Sequence, residues 1–392
     1  MRVLYSFPDE IGRTGIGTTA FNQVREVATQ GVDVILYCTS RRGDLPDNVR
    51  VVQTLSVAGR RIPHRALGIN QSYAYHDRRV ASALRRLRST IDAVHCWPRA
   101  TVHTARTARR LGVPCFREVP NTHTGHAYDV VSREVAALGL TAPRGHSHTF
   151  DPKILALEEL EYDLAHILLV PSEYARATFV ERGVPERKLR LHRYGCDLRR
   201  FFAHPSNACG EPKRPFTAIF VGRCEPRKGL HHALRAWHDS GAARAGGRFL
   251  ICGSFEARYR EALAPLLAHP SIVVEGFVSD PAALMRESDV FVLPSVEEGS
   301  ALVTYEAKAS GCVLLVSQAA GARCTDGVDA LVHVPGDVVT LTAHLTRVRE
   351  DRRFLRRLRS AALARTADLS WAAAGAELAT IYHEGSAATA GA

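Results

Sequence analysis

Short apolar runs recur along the whole chain, and between them apolar residues return at helical spacing. The runs predict strands at Val3–Phe7, Val32–Tyr37, Val51–Leu55, Ala93–Cys96, Pro114–Glu118, Ile167–Pro171 and Leu189–Tyr194 in the first half. In the second half they fall at Phe216–Val221, Arg248–Cys252, Ile272–Glu275, Val290–Leu293, Val313–Val316 and Leu331–Val334. Several are apolar throughout rather than alternating, as strands covered on both faces are. Strand and helix patterns alternate, the signature of parallel α/β sheets. The stretch from Phe201 to Pro215 is polar and rich in Pro and Gly, and reads as a linker. The fold expected is therefore α/β, with two Rossmann-like, doubly wound domains facing a central cleft and ligands at the carboxyl ends of their strands. The expected divisions are residues 1–200, residues 201–370 and a final segment, 371–392. In that segment an amphipathic helix over Trp371–Tyr382 packs back on the fold and a small-residue tail is disordered.

Composition changes this picture little. The 392 residues are too many for one core and suit two domains. Hydrophobic content of 46% and charged content of 23% are ordinary for a soluble enzyme. No apolar run reaches the roughly 18 residues of a membrane span, and no signal-peptide pattern precedes the first strand. The nine cysteines are scattered without a CxxC pair. They read as reduced thiols of a cytoplasmic protein rather than a disulfide framework or zinc site.

The net charge of +11 is uneven: residues 1–199 hold 29 Lys and Arg against 20 Asp and Glu, and residues 200–392 hold 22 against 20. Arg78, Arg79, Arg85, Arg86 and Arg88 accompany Val80, Ala83, Leu84 and Leu87 at helical spacing. Such a helix is either a solvated face or a basic surface for an anionic acceptor or the inner face of a membrane. Nucleic acid is not an expected partner, because the basic stretch lacks interleaved aromatics and no nucleic-acid-binding signature occurs.

The candidate chemistry is concentrated at strand ends. The run Val296-Glu297-Glu298-Gly299-Ser300-Ala301-Leu302-Val303-Thr304-Tyr305-Glu306 follows an apolar strand and opens a helix. Glu306 lies about two helical turns beyond Glu298, near the same face. Between them the free amides of a helix start offer an anion site. Two carboxylates for hydroxyls around a phosphate cradle suit a nucleotide sugar.

The strand ending at Val221 runs into Gly222-Arg223-Cys224-Glu225-Pro226-Arg227-Lys228-Gly229. From there Arg223 and Lys228 can converge on a diphosphate, or stand as ordinary residues of a surface turn. The first strand ends in a loop with Gly12, Gly15 and Gly17, and a helix is expected from Ala20 with Thr18 or Thr19 as cap. The loop lacks the spacing of a dinucleotide fingerprint, and a plain turn accounts for it equally well. His123 and His126 follow another strand end and join His146 and His148 in a histidine-bearing stretch. A substrate contact at His123 is expected, and a metal site is not, since no ligand motif is present.

Taken together these residues resemble a retaining glycosyltransferase of the GT-B architecture, in the large family-4 (group 1) class. Beyond the two-glutamate element the resemblance includes Pro171-Ser172-Glu173-Tyr174, Gly183-Val184-Pro185, Tyr194-Gly195-Cys196-Asp197 followed by Phe201, Gly276-Phe277-Val278 and Ser288 to Ser295. The resemblance implies that Arg223 and Lys228 hold the donor diphosphate, Glu306 the ribose hydroxyls and Glu298 the hydroxyls of the transferred sugar. It further implies that the amides around Ser300, Ala301 and Leu302 contact sugar and phosphate. Phe277 and Val278 would line the base site, Gly15 and Gly17 would let the N-terminal loop close on the diphosphate and acceptor, and His123 would meet the donor sugar. Many relatives have glycine where this chain has Ala301, which leaves the backbone donor intact and alters the sugar pocket.

The resemblance implies transfer of a hexose-type sugar with retention, without metal or other cofactor, from a nucleotide sugar. UDP is favoured over GDP or ADP as its carrier. The acceptor is a glycan, a lipid-linked glycan or a small molecule. A nucleotide-sugar epimerase, a phosphorylase, a nicotinamide dehydrogenase and a non-catalytic sugar-nucleotide-binding protein remain as alternatives.

Overall fold

The computed structural model describes residues 1–57, 60–61, 68–141, 148–203 and 214–390. Two large parallel sheets form, beside two short strand pairs. The first is built from β1 (Arg2–Ser6), β2 (Asp33–Cys38), β3 (Val49–Gln53), β4 (Ala93–Cys96), β5 (Cys115–Glu118), β6 (Ile167–Val170) and β7 (Leu189–Leu191). Its spatial order is β3-β2-β1-β4-β5-β6-β7. The second contains β8 (Thr217–Val221), β9 (Arg248–Cys252), β10 (Ile272–Gly276), β11 (Val290–Leu293), β12 (Val313–Ser317) and β13 (Ala330–His333), in the order β10-β9-β8-β11-β12-β13. Both orders reverse direction beside their first strand, which opens the crevice where doubly wound folds bind ligands. The expected strands all appear within a residue or two at each end, except at β7. There Leu189–Leu191 pair with β6 on a sheet edge, the His192 amide makes the last bond to β6, on the Val170 carbonyl at 2.9 Å, and the chain then leaves the ladder.

The helices used below are α1 (Ile16–Thr29), α2 (Ile69–Leu87), α3 (Thr124–Ala137), α4 (Pro152–Leu164), α5 (Glu173–Glu181), α6 (Leu230–Asp239), α7 (Leu302–Ala309) and α8 (Trp371–Ala390). Local sequence explains their starts. Asp151 accepts from the Lys153 and Ile154 amides with Pro152 at the first position of α4, and Ser172 accepts from the Ala175 amide at the start of α5. On α2 the apolar stripe of Val80, Ala83 and Leu84 is spent on the core, leaving Arg78, Arg79, Arg85, Arg86 and Arg88 exposed. An attraction of this helix to an anionic surface would rest on charge alone.

The chain crosses between domains at two adjacent places. Near the first, the Cys196 amide donates to the Leu369 carbonyl at 2.8 Å, and Cys196 bridges Ser370 beside the second. Past the second, α8 lies on α1 in the first domain, and Leu378, Ile381 and Tyr382 join that domain's core. The Tyr382 hydroxyl lies 2.6 Å from His95 Nδ1, and its ring meets Phe116 edge-on at 5.1 Å. The helix also takes in Gly385–Ala390, most of the tail expected to be disordered. Small residues let it lie close: Gly385 is buried against Phe116 and Ile167, and Ser386 Oγ donates to the Asp92 carbonyl at 3.3 Å. Tyr382→Phe leaves buried His95 Nδ1 without its partner, so the expected cost is about 1–2 kcal/mol. Urea unfolding measures it, and an unchanged midpoint contradicts the assignment.

Candidate functional site

The site is assembled at the carboxyl ends of β8 and β11, where the second domain meets the loop after β5 of the first. Two glycines permit the approach. A Cβ on Gly299 would sit 2.0 Å from the Pro120 carbonyl oxygen across the domain boundary. Gly229 has φ 67° and leaves room for the Pro294 carbonyl, which a Cβ would meet at 2.0 Å. The turn between β11 and α7 is pinned by Ser172 Oγ donating to the Gly299 carbonyl at 2.5 Å and Ser300 Oγ to the Gly321 carbonyl at 2.9 Å.

Charges alternate along this seam. Lys228 Nζ is bonded to Glu298 Oε1. Arg227 forks between Glu297 Oε2 and Glu298 Oε2, each at 3.2 Å, and reaches Glu225 at 3.0 Å. Arg223 shares Glu225 at 3.4 Å but is otherwise exposed, its side chain 61% accessible. Buried Glu297 accepts from the Thr122 amide at 3.2 Å and hydroxyl at 2.7 Å, and lies 3.3 Å from His148 Nε2. Burial alone would raise its pKa, but the His148 hydrogen bond and the Arg227 charge outweigh burial and hold it well below the usual carboxylate range. Burial, reinforced by the Arg227 guanidinium, pushes the Lys228 ammonium down to about 7. A diphosphate beside it would favour the charged form.

Glu306 stands on α7, half-buried, its carboxylate with no hydrogen-bonding partner among the described residues. Burial pushes its carboxyl up to about 7, opposed weakly by Arg200. It lines a cavity of about 640 Å³ with Thr18, Asn22, Gly195, Asp197 and Arg200. A second cavity, about 720 Å³, lies in the first domain and is walled by Tyr73, Trp97, Tyr128 and Phe150 together with Asp9 and Arg117. Thr122 and His148, the partners of Glu297 from the first domain, also line it. Ile16 faces this cavity and Thr18 the other, so the glycine loop stands between them.

The expected site residues are only partly brought together. Lys228 and Glu298 are in contact, and Arg223 joins them through Glu225 and Arg227. His123 is turned elsewhere. It caps α3, its Nδ1 accepting from the Gly125 amide at 3.1 Å, and its ring packs on Tyr162 and Phe179 at 5.2 and 5.1 Å. Burial and Arg182 lower its pKa to about 4, so it is neutral at pH 7. The histidine at the seam is His148; His126 pairs loosely with Tyr174 at 3.4 Å, and His146 lies outside the described residues.

The Ala301 amide is not free, since it donates to the Ala320 carbonyl at 3.0 Å. The Thr304 amide is likewise taken, by the Ala301 carbonyl at 2.9 Å, so the amides left open at the start of α7 are those of Leu302 and Val303. Ser300 spends its hydroxyl on Tyr305 and Gly321. Gly15 precedes α1 with φ 86°, and α1 begins at Ile16 rather than Ala20; Thr18 lies inside it and caps nothing, its hydroxyl donating to the Arg13 carbonyl. Gly17 packs against the Glu10 carbonyl. Phe277 is 80% exposed, an open ring face, whereas Val278 leans on the core.

Neither Arg227 nor Glu297 stands out in the sequence, although both lie inside the charged runs 222–229 and 296–306. Charged neighbours directly beside Lys228 and Glu298 were the available signal. Thr122 lies 175 residues from Glu297 in sequence, and no local pattern joins the two.

Comparison with known proteins places these elements in context. The family model "Glycosyltransferase Family 4" matches residues 13–200, and "Glycosyl transferases group 1" matches residues 215–351. WcaL of Escherichia coli K12, a glycosyltransferase named for colanic acid biosynthesis, is 27% identical over 196 residues, 47% of this chain and 44% of WcaL. The match thus spans less than half of that relative's length. Among solved structures, sucrose-phosphate synthase from Thermosynechococcus elongatus superposes with TM-score 0.70 at 17% identity, covering 99% of both chains. Anabaena HepE, solved in complex with UDP-glucose, superposes with TM-score 0.66 at 16% identity over 98% of this chain and 100% of its own. At these identities the structural likeness speaks for the fold, which is GT-B.

Proposed function

The chain belongs to the family-4, group 1 glycosyltransferases, each domain matched by one of two family models, and we propose that it moves a hexose-type sugar from a nucleoside-diphosphate sugar to an acceptor hydroxyl, with retention and without a metal. One observation carries the reading: Lys228 is paired with Glu298 at the domain seam, while Glu306, two turns further on, has a carboxylate with no partner among the described residues. A donor would exchange the internal pair for its own groups. Its diphosphate would take Lys228, Arg223 and the start of α7, whose helix terminus carries about half a unit of positive charge. Glu298, released, would accept from hydroxyls of the transferred sugar, and Glu306 from the ribose. The open face of Phe277 suits stacking on the base. UDP is the favoured carrier, a choice supported by the UDP-glucose complex of HepE.

The acceptor would occupy the aromatic-walled cavity of the first domain, where Tyr73, Trp97, Tyr128 and Phe150 offer flat apolar faces for sugar rings. A glycan, a lipid-linked glycan or a small molecule fits that chemistry, and the exposed arginines of α2 would hold an anionic membrane surface nearby. The acceptor oxygen bonds to the anomeric carbon on the face from which the nucleotide departs. The carbon–phosphate oxygen bond breaks, and the acceptor proton passes to an oxygen of the leaving diphosphate. No protein base is then required.

A thermal-shift screen with UDP-, GDP- and ADP-hexoses tests the donor assignment. A ligand at 100 times its Kd stabilises the native state by about 2.7 kcal/mol. The expected result is a clear rise in Tm with one nucleotide class, UDP first. Donor affinity should be greatest near pH 7: it falls below as Glu306 takes a proton, and above as Lys228 loses one. Glu306→Gln should flatten the acid limb alone. No shift with any nucleotide sugar, or an acid limb unchanged in that variant, would overturn the reading.

A further inference from the structure

Away from the seam just described, three side chains converge where α3 and α6 meet. Glu134 comes from the first domain; His231 and His232 are consecutive on α6 of the second. His231 Nε2 lies 2.6 Å and His232 Nε2 2.7 Å from the same oxygen, Glu134 Oε1, and the two rings are 3.8 Å apart at their centroids. Among the described residues this is the one group of three His, Cys, Asp or Glu whose candidate ligand atoms all fall within 4.8 Å of one another. Both histidines are buried, and Glu134 is partly open to solvent, which leaves an entry path.

We propose that Glu134, His231 and His232 form a divalent-metal site, suited to zinc, that clasps the two domains together. Two imidazoles and a carboxylate are a borderline donor set of the kind zinc takes, with water as fourth ligand. Zinc–ligand bonds of about 2.0–2.1 Å at tetrahedral angles put neighbouring ligand atoms about 3.4 Å apart. The carboxylate needs to swing by less than about 1 Å from its present position to open that space. Outer contacts already orient the ligands. The Tyr259 hydroxyl accepts from the His231 amide at 3.0 Å and sits 2.7 Å from His231 Nδ1. When the metal takes Nε2, the imidazole proton resides on Nδ1 and is donated to Tyr259, the arrangement that fixes a ligating histidine. His232 Nδ1 has no partner among the described residues and can likewise carry its ring's proton.

The clasp would act at a distance from the transfer chemistry. His231 lies three residues beyond Lys228, and α3 begins just after the loop that holds Glu297. A metal there would tie the two sides of the seam together and limit how far the cleft opens, without touching the reacting atoms.

The test uses the untagged full-length chain, stripped with chelator and titrated with Co²⁺ and then Zn²⁺. The expected result is one tight equivalent with a visible Co²⁺ band of low-coordinate type, displaced by Zn²⁺, and a zinc-dependent rise in Tm. His232→Ala should weaken zinc binding at this equivalent by at least about 100-fold and remove the band. Glu134→Gln keeps the size and an acceptor, so it guards against misfolding of the first variant; with a metal-free Tm near that of the parent it should also lose the zinc-dependent rise. Zinc affinity, band and Tm response equal in parent and Glu134→Gln, or no tight equivalent in the parent, would overturn the proposal.

Discussion

Lys228→Ala should lower turnover by about 10²–10³ while the fold survives. The side chain is largely covered, 14% accessible, bonded to Glu298 and adjacent to Arg227, at the point where two domains converge. In the proposed reaction the diphosphate gains charge as the glycosidic bond breaks, and a fixed ammonium in a water-poor seam stabilises that charge more than an exposed one would. Arg223, exposed and tied among the described residues only to Glu225, cannot replace it from its present position. The fold has little reason to fail. The turn is fixed by Gly229 against Pro294 and by the Val296 amide on the Arg227 carbonyl, neither of which involves the lysine side chain. Glu298 also keeps Arg227 as a partner. Steady-state kcat, with circular dichroism to check folding, measures the effect, and a near-parental kcat would remove Lys228 from the proposed chemistry.

The largest expected effect on stability is at Arg117. This arginine is fully buried at the end of β5, paired with Glu161 at 2.8 Å and Glu158 at 3.3 Å, with its guanidinium 4.5 Å from the centroid of the Tyr162 ring. Glu161 is itself fully buried and holds the amides of Arg99 at 2.9 Å and Thr101 at 3.0 Å. Burial already raises the Glu161 pKa against the opposing charge of Arg117, so Arg117→Ala leaves that carboxyl either to take up a proton or to stay charged in a dry setting, and breaking such a pair from one side costs about 3–5 kcal/mol. Urea unfolding should show a correspondingly lower midpoint. A loss below about 1 kcal/mol would mean that water or another group reaches Glu161 when the arginine is gone. Because Arg117 also lines the aromatic-walled cavity, the variant should lose acceptor affinity as well.

The sequence carried most of the architecture because parallel strands covered on both faces must be apolar throughout, and Val290–Leu293 or Ile167–Val170 can hardly be read otherwise. Ends were less legible. Nothing in Leu189–Tyr194 announces that the strand stops at Leu191, since that depends on where the chain must turn to reach the second domain. At the site, the spacing of Glu298 and Glu306 and the basic turn at Lys228 were visible as local pattern. The contacts of Glu297 with Thr122 and His148 were not, because they exist only once two domains meet. His123 shows the converse limit. Its place after a strand end is legible, but the direction of its ring is decided by Phe179 and Tyr162, from helices that the local sequence does not mention. The final residues suggest disorder, being small and at the end of a domain. That same smallness is what lets Gly385 lie against Phe116.

The return of α8 to the first domain bears on how the protein is made. As the chain leaves the ribosome, the opening sheet can pair its strands, yet His95 and Phe116 stay uncovered until Tyr382, which follows the whole second domain in the chain, arrives. The first half therefore waits through synthesis of the entire second half with part of its interior open to water. A fragment ending near residue 200 should be poorly soluble, and supplying residues 371–390 in trans should help it.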